Sequence, residues 1–417
     1  MKQGSRVARI VMVVENNTYP ADPRVRHEAE TLAANGYTVS VICPRGRGQP
    51  WHETLNGVRV WRFPNPPGGS GALSYLMEFG YATLASALLV LWVWLRHGLD
   101  VVHVHNPPDT LFVCGLLPRL FGKQFVYDHH DLSPELYLSK FGAQPGLLYR
   151  ILLQLERWSC RLANRVVEVN ESYRQQDIAR NGVRPENAWV VRNGPDLRRV
   201  KRYPPDPALR ARAKTLIAYV GRIAYQDGLD HLLGAVHHLE HDLGYTDWYC
   251  IIIGKAENLD FLQQVARDLG ITDKVWFTGF IPDEQMLTIL STADVCVMPD
   301  PSNPLNDKST MNKVMEYMAL GKPVVAYDLT ETRVSAGEAG IYAAVNDQLD
   351  MARQIAYLIE HPEQRERMGQ IGQQRIAQAL SWDYSARRLL RFYETLGDPT
   401  ASVDIREVQW TDGTAER

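Results

Sequence analysis

From Asp294 to Asp328 the chain reads DVCVMPDPSNPLNDKSTMNKVMEYMALGKPVVAYD, and few folds accommodate that order of signals. Val295 to Met298 is a short apolar run ended by Pro299. Pro301 and Pro304, with Asn and Asp between them, hold the next ten residues out of helix and sheet. Ser309 or Thr310 is placed to cap a helix, Gly321-Lys322-Pro323 stops it, and a second apolar run follows. Strand, loop, helix, strand is one turn of a parallel α/β sheet, and such sheets take ligands beyond the carboxyl ends of their strands. The helix start therefore points at a site. Its first N–H groups, with Lys308 and Lys313 beside them, suit an anion, while Glu316, one turn further, suits ribose hydroxyls. A nucleotide-diphosphate site is expected.

The same alternation runs through the chain. In the first half RIVMVV (9–14), YTVSVIC (37–43), GVRVWRF (57–63), VVHVH (101–105), KQFVYDHH (123–130), ANRVVEVN (163–170) and AWVVRNG (188–194) read as strands. Helices are expected near 25–36 and 109–120. Prolines and charges at 195–213 mark a connection, after which TLIAYVGRI (215–223), WYCIIIG (248–254), KVWFTGF (274–280), DVCVMP and PVVAYD restart the pattern. The fold class is α/β, with two doubly wound parallel sheets.

Charge and cysteines narrow the function classes. A net charge of −3 over 417 residues argues against a nucleic-acid binder held by overall electrostatics. Five dispersed cysteines without a Cys-x-x-Cys pair fit a reduced cytosolic compartment. Val7 to Val14, interrupted by Arg9, reads as a first strand rather than a signal peptide. Phe79 to Leu95, FGYATLASALLVLWVWL, carries no charge but falls short of the roughly 20 residues of a spanning helix. It reads either as a buried helix of an α/β domain or as a helix whose Trp92 and Trp94 touch a membrane interface.

The pattern AD-x-x-x-x-P, a polar loop, then E-x-x-A-x-GKPVVA, together with VYDHHDLSPELY (126–137), resembles the signature of retaining glycosyltransferases of family 4, over roughly residues 7–395. That resemblance implies the GT-B fold: two Rossmann-like domains facing a cleft, with the last helix crossing back to the first. The expected domains are 1–195 (plus 383–397) on the acceptor side and 196–382 on the donor side, with 398–417 a disordered tail. It further implies retaining transfer of a hexosyl or N-acetylhexosaminyl group from a nucleotide-sugar, a UDP-sugar above all. The acceptor expected is a polyprenyl-diphosphate-linked glycan of bacterial surface-polysaccharide assembly. Such enzymes work in the cytoplasm at the inner face of the membrane and generally need no metal.

By the same resemblance His130, Arg222 and Glu316 are the catalytic candidates, meeting the donor sugar, the diphosphate and the ribose. Gly221 allows close backbone approach, and Gly279, in FTGF, lies where the base should sit. Lys308, Ser309, Thr310, Met311, Asn312 and Lys313 stand where the family has a Glu and a Gly-rich turn. Two departures matter. The family's diphosphate-binding Lys is here Asp227, and the first Glu of Glu-x7-Glu is here Lys308. Either Lys308 or Lys313 supplies the missing charge, or Asp227 points away and caps the helix starting at Gly228.

On the acceptor side Asp22, Arg24 and His27 are candidates, Arg24 for an acceptor diphosphate, though Asp22 capping a helix with Pro23 explains half that motif. Glu135 is either a cleft residue or a cap partner. His103 and His105 on one strand, with His129, His130 and Asp131, raise a metal reading, but neither spacing is a recognised zinc signature, so no metal is expected. Two rivals stand: a UDP-N-acetylglucosamine 2-epimerase-like isomerase, and a nucleotide-sugar-binding subunit without activity.

Overall fold

A computed structural model of the protein describes residues 9–65, 72–142 and 144–396. Continuous Val/Ile-rich runs, buried on both faces, build two sheets. The first contains β1 (Arg9–Val13), β2 (Thr38–Pro44), β3 (His52–Leu55), β4 (Val58–Phe63), β5 (Val101–His105), β6 (Gln124–His129), β7 (Arg165–Glu168) and β8 (Ala188–Val190), in the order β3-β4-β2-β1-β5-β6-β7-β8. The second contains β9 (Thr215–Val220), β10 (Trp248–Ile253), β11 (Val275–Gly279), β12 (Val295–Met298), β13 (Val324–Tyr327) and β14 (Gly340–Ala343), in the order β11-β10-β9-β12-β13-β14. All ladders are parallel except β3–β4. Strand order reverses between β1 and β5 and between β9 and β12, and the carboxyl ends at such switch points are where ligands bind.

Two helices cover one face of the first sheet. Pro23–Ala34 starts with Asp22 accepting the Val25 N–H at 2.9 Å and Pro23 in the first turn. Trp382–Leu396 crosses back from the second domain and packs Leu389, Phe392 and Tyr393 beside Val25, Ala29 and Leu32. Trp382 Nε1 donates to Thr31 Oγ1 at 3.0 Å, and a Cβ on Gly194 would meet the Leu380 carbonyl at 2.3 Å, so the crossing segment lies directly on the connection. The other face is covered by Ala72–His97, Val113–Leu120 and Leu147–Leu162.

Some elements escape the pattern reading. β3 is polar and on the edge, so it lacks the apolar run that marks a strand; β14 and the helix Leu147–Leu162 were likewise not anticipated. The segment Phe79–Leu95 is neither wholly buried nor free: Ala82, Val90 and Val93 pack on the sheet while its outer side is exposed. The tail 398–417 lies outside the described residues.

Candidate active site

On the second sheet, β9 delivers Gly221 and Arg222 to the switch point. Gly254, at φ +136°, approaches so closely that a Cβ there would lie 1.8 Å from the Gly221 carbonyl oxygen. Gly228, at φ +63°, abuts the Pro299 carbonyl in the same way, which draws the ends of β9 and β12 together. The helix Asn312–Ala319 follows, with Met311 at its cap and no side chain bonded to the first turn. Its leading N–H groups are therefore not claimed by a capping side chain. Tyr317 Oη accepts the Val220 N–H at 2.9 Å, tying this helix to the last residue of β9. Arg222, two residues beyond Val220, and Glu316, one before Tyr317, share no hydrogen bond but stand at the ends of that short path.

Lys313 lies between two carboxylates. Its Nζ is 3.0 Å from Asp300 and from Tyr219 Oη, and 3.6 Å from Asp227 Oδ1. Burial works to lower its pKa, but Asp300, Tyr219 and Asp227 outweigh it and hold the ammonium well above its ordinary range. Burial pushes the Asp300 carboxyl up to about 6, against the pull of Lys313. Asp227 Oδ2 accepts the Ala224 N–H at 2.8 Å, so this residue caps the turn Tyr225–Asp227 rather than the helix after Gly228. Where the family resemblance leads one to expect one free lysine, the chain places a lysine neutralised by two acids.

Arg222 is 83% exposed and pairs with Glu257 at 2.8 Å; Glu257 also lies 3.8 Å from Lys140, which the other domain contributes on the helix Ser133–Phe141. Glu316 is half-buried, and desolvation raises its carboxyl pKa against the lowering effect of Arg199, which pairs with Asp283 at 2.7 Å. Gly279 has φ +66° and its carbonyl accepts the Gly254 N–H, beside the 87% exposed Phe280.

Lys308, Ser309 and Thr310 do not surround the helix start. Lys308 Nζ donates to Gln176 of the first domain, and the Lys308 carbonyl accepts from Asn170 Nδ2 at 2.8 Å. Tyr173 Oη shares a hydrogen bond with Ser309 Oγ at 3.2 Å, and Thr310 Oγ1 accepts from Asn170 at 3.0 Å. Leu305 packs with Leu132, Val169 and Tyr173. This loop is a bridge between domains, and the capping expected of Ser309 or Thr310 gives way to cross-domain bonds.

On the first sheet the acceptor-side candidates are occupied internally. Asp128, at the end of β6, accepts from Arg24 Nη2 at 2.7 Å and faces His130 Nδ1 at 2.8 Å. Arg24 also donates to the Val191 carbonyl and to Asn193, and lies 3.3 Å from Glu28. It is a buried structural cation, not a group presented to an acceptor. Asp22 is a helix cap. The His27 ring lies tilted against Trp382, centroids 4.9 Å apart, where burial lowers its pKa to about 4. Glu135 is buried against Arg180. His130 differs from these: burial lowers its pKa, Asp128 more than restores it, and the backbone N–H donates to Asn106 Oδ1 at 2.9 Å. With Nδ1 committed to Asp128, Nε2 remains for a ligand. Asn106 is a residue the sequence reading missed; it is buried, and its amide organises His130, Asp131 and Asp109.

Two buried groups have the ligand types and spacing for a cation: Glu28, His103, His105 and Asp128, and separately His129, Cys160 and Asp177. In the first, Arg24 pairs with Asp128 at 2.7 Å and lies 3.3 Å from Glu28, whose carboxyl pKa burial raises, and His103 Nδ1 bonds Tyr393 Oη at 2.7 Å. Both Glu28 oxygens, His103 Nε2 and both His105 ring nitrogens are buried without a hydrogen-bond partner among the described residues. In the second, His129 Nδ1 pairs with Asp177 at 2.8 Å, and carboxylates outweigh burial to raise the ring to about 10.

Comparison with known proteins agrees with this architecture. Residues 21–194 match the glycosyl transferase 4-like domain and residues 206–375 the glycosyl transferases group 1 model. A glycogen synthase of Mycobacterium tuberculosis is 25% identical over 388 residues, spanning 88% of this chain and 89% of its own. Among solved structures, sucrose-phosphate synthase from Thermosynechococcus elongatus superposes with TM-score 0.76 at 18% identity over 94% of this chain and 99% of that one. Anabaena HepE in complex with UDP and glucose gives TM-score 0.69 at 19% identity, with coverage of 94% and 99%.

Proposed function

We propose, from the premise that this chain belongs to the GT-B glycosyltransferases of the family 4 kind, that it moves a hexosyl or N-acetylhexosaminyl group from a UDP-sugar, with retention, to a polyprenyl-diphosphate-linked glycan. The setting is the cytoplasmic face of the cell membrane. One observation carries the donor half of this reading: an uncapped helix start at Asn312 is tied through Tyr317 to the strand end that bears Gly221 and Arg222. The structural neighbour bound to UDP and glucose shares that fold.

Leaving-group stabilisation does most of the work. Arg222, once turned from Glu257, takes the diphosphate with its planar guanidinium, and the helix N–H groups and Lys313 complete the cradle. His130 Nε2 orients a sugar hydroxyl, and Glu316 accepts from the ribose. Asp128 and Glu28 are held by Arg24, so neither is offered as a nucleophile to the anomeric carbon. Attack by the acceptor hydroxyl on the face that the diphosphate leaves, with a phosphate oxygen taking the proton, suits that arrangement. No metal enters this scheme, because the cationic side chains supply the countercharge.

Incubating the protein with a panel of nucleotide-sugars, with and without short polyprenyl-diphosphate glycans, tests the proposal. UDP release and an axial or equatorial anomer matching the donor's are expected. An isomerised UDP-sugar without transfer would instead establish the epimerase reading.

A further inference from the structure

The two faces of the first sheet carry helices of opposite character. Pro23–Ala34 and Trp382–Leu396 show no large exposed apolar side chain. The three helices of the opposite face, with Phe121 just past the second, carry 14 of the 23 found among the described residues. They recur at helical spacing. Met77, Tyr81, Leu84, Leu88, Trp92 and Leu95 line the outer side of Ala72–His97, a stripe of about 27 Å at the helical rise per residue. Val113, Leu117 and Leu120 repeat the pattern on the second helix, and Leu148, Ile151 and Trp158 on the third.

The stripes adjoin. The rings of Trp94 and Phe121 lie 5.5 Å apart, those of Phe112 and Trp158 6.1 Å apart, and Thr83 shares a 2.7 Å hydrogen bond with Thr110. One broad apolar face results, and contiguous exposed apolar surface of this kind marks interaction sites. Its charges are mostly of one sign. The three helices, with the residues from Phe121 to Lys123, contain Arg96, Arg119, Lys123, Arg150, Arg157 and Arg161 against two carboxylates, the half-buried Glu78 and the buried Glu156, in a chain of net charge −3. Lys123 lies 3.5 Å from Asp100; none of the other five has an ion pair with a carboxylate among the described residues.

Met77–His97 is long and apolar enough to cross a membrane, with mean hydropathy 1.5. Yet Ala82, Val90 and Val93 sit in the core beneath it, so crossing would strip the sheet of its cover. The geometry fits a helix lying in the interface plane. We propose that this three-helix face docks flat on an anionic bilayer, the apolar stripes entering the headgroup–acyl boundary and the arginines meeting lipid phosphates. A second copy of the chain is the other way to cover such a face, but pairing it with itself would bring like charges together. The inference deepens the reading that the enzyme works at a membrane; docking itself needs neither donor nor acceptor.

Flotation of the full chain with phosphatidylglycerol/phosphatidylethanolamine vesicles, phosphatidylcholine vesicles and no vesicles provides the test. Wild type should float with the anionic vesicles and release as salt rises. Leu84→Glu with Leu88→Glu, both well exposed, should lower binding at least tenfold, and Arg96→Glu with Arg150→Glu about tenfold or more at low salt. Melting temperature and vesicle-free release of UDP from UDP-sugar should stay unchanged in both, which separates failure of docking from failure of the sugar-transfer reading. No flotation of wild type at low salt would overturn the proposal. So would flotation unaffected by either pair, or a dimer in sedimentation that Leu84→Glu with Leu88→Glu dissolves.

Discussion

The two sides of the domain junction handle charge in opposite ways. On the first sheet, Arg24, Glu28, Asp128 and the histidines of β5 are buried together, with Arg24 hydrogen-bonded to Asp128. On the second, Arg222 stands in solvent with one exposed partner, and the start of Asn312–Ala319 has no side-chain cap. A buried network of this kind holds a shape and presents little charge to solvent. An exposed cation and an open helix end have little structural duty and are available to an incoming diphosphate. The contrast predicts that substitutions on one side unfold and on the other inactivate.

The largest effect expected is on the first side. Asp128→Ala takes from the buried Arg24 the nearer of its two carboxylates and from His130 Nδ1 its partner, so stability should fall by about 3 kcal/mol or more in urea unfolding. A loss under about 1 kcal/mol would mean the network is dispensable and the contrast false. Next comes Arg222→Ala, which should cut turnover about a hundredfold with an unchanged melting temperature. If stability fell with activity, Arg222 would belong to the scaffold.

A smaller, pH-dependent effect is expected at Lys313. Above about 6 the ionised Asp300 offsets the lysine; below it, protonation frees that positive charge. Donor binding should therefore strengthen several-fold as pH falls through about 6, measured as KM for the UDP-sugar. Asp300→Asn should show the tighter binding at neutral pH and flatten the profile. The smallest effect belongs to Lys308→Ala. Its ammonium bonds the neutral Gln176, so donor KM should shift by less than about threefold. A hundredfold rise would put Lys308 against the diphosphate after all.

Much of the fold was legible because it depends on local patterns. Alternating apolar runs and helix stops announced parallel sheets, and the Gly221-Arg222 pair at a strand end marked a ligand edge. The misreadings share one cause. Ser309 and Thr310 have the side chains of helix caps, yet Asn170 and Tyr173, remote in sequence, claim them. Arg24 has the look of a phosphate ligand, yet Asp128 and the Val191 carbonyl surround it. Residue type states what a group is able to bind, not which partner arrives first.

The order of strands and helices, the position of the helix Asn312–Ala319 and the absence of charge along Phe79–Leu95 were set by the chain alone, since each depends on near neighbours and repeats. The tertiary structure decided which polar groups remain free. It placed Lys313 between Asp227 and Asp300, enclosed Arg24, left Arg222 in solvent and aligned three apolar stripes on one face. Desolvation and ion pairing act between residues far apart in sequence, so only the packed molecule could assign them.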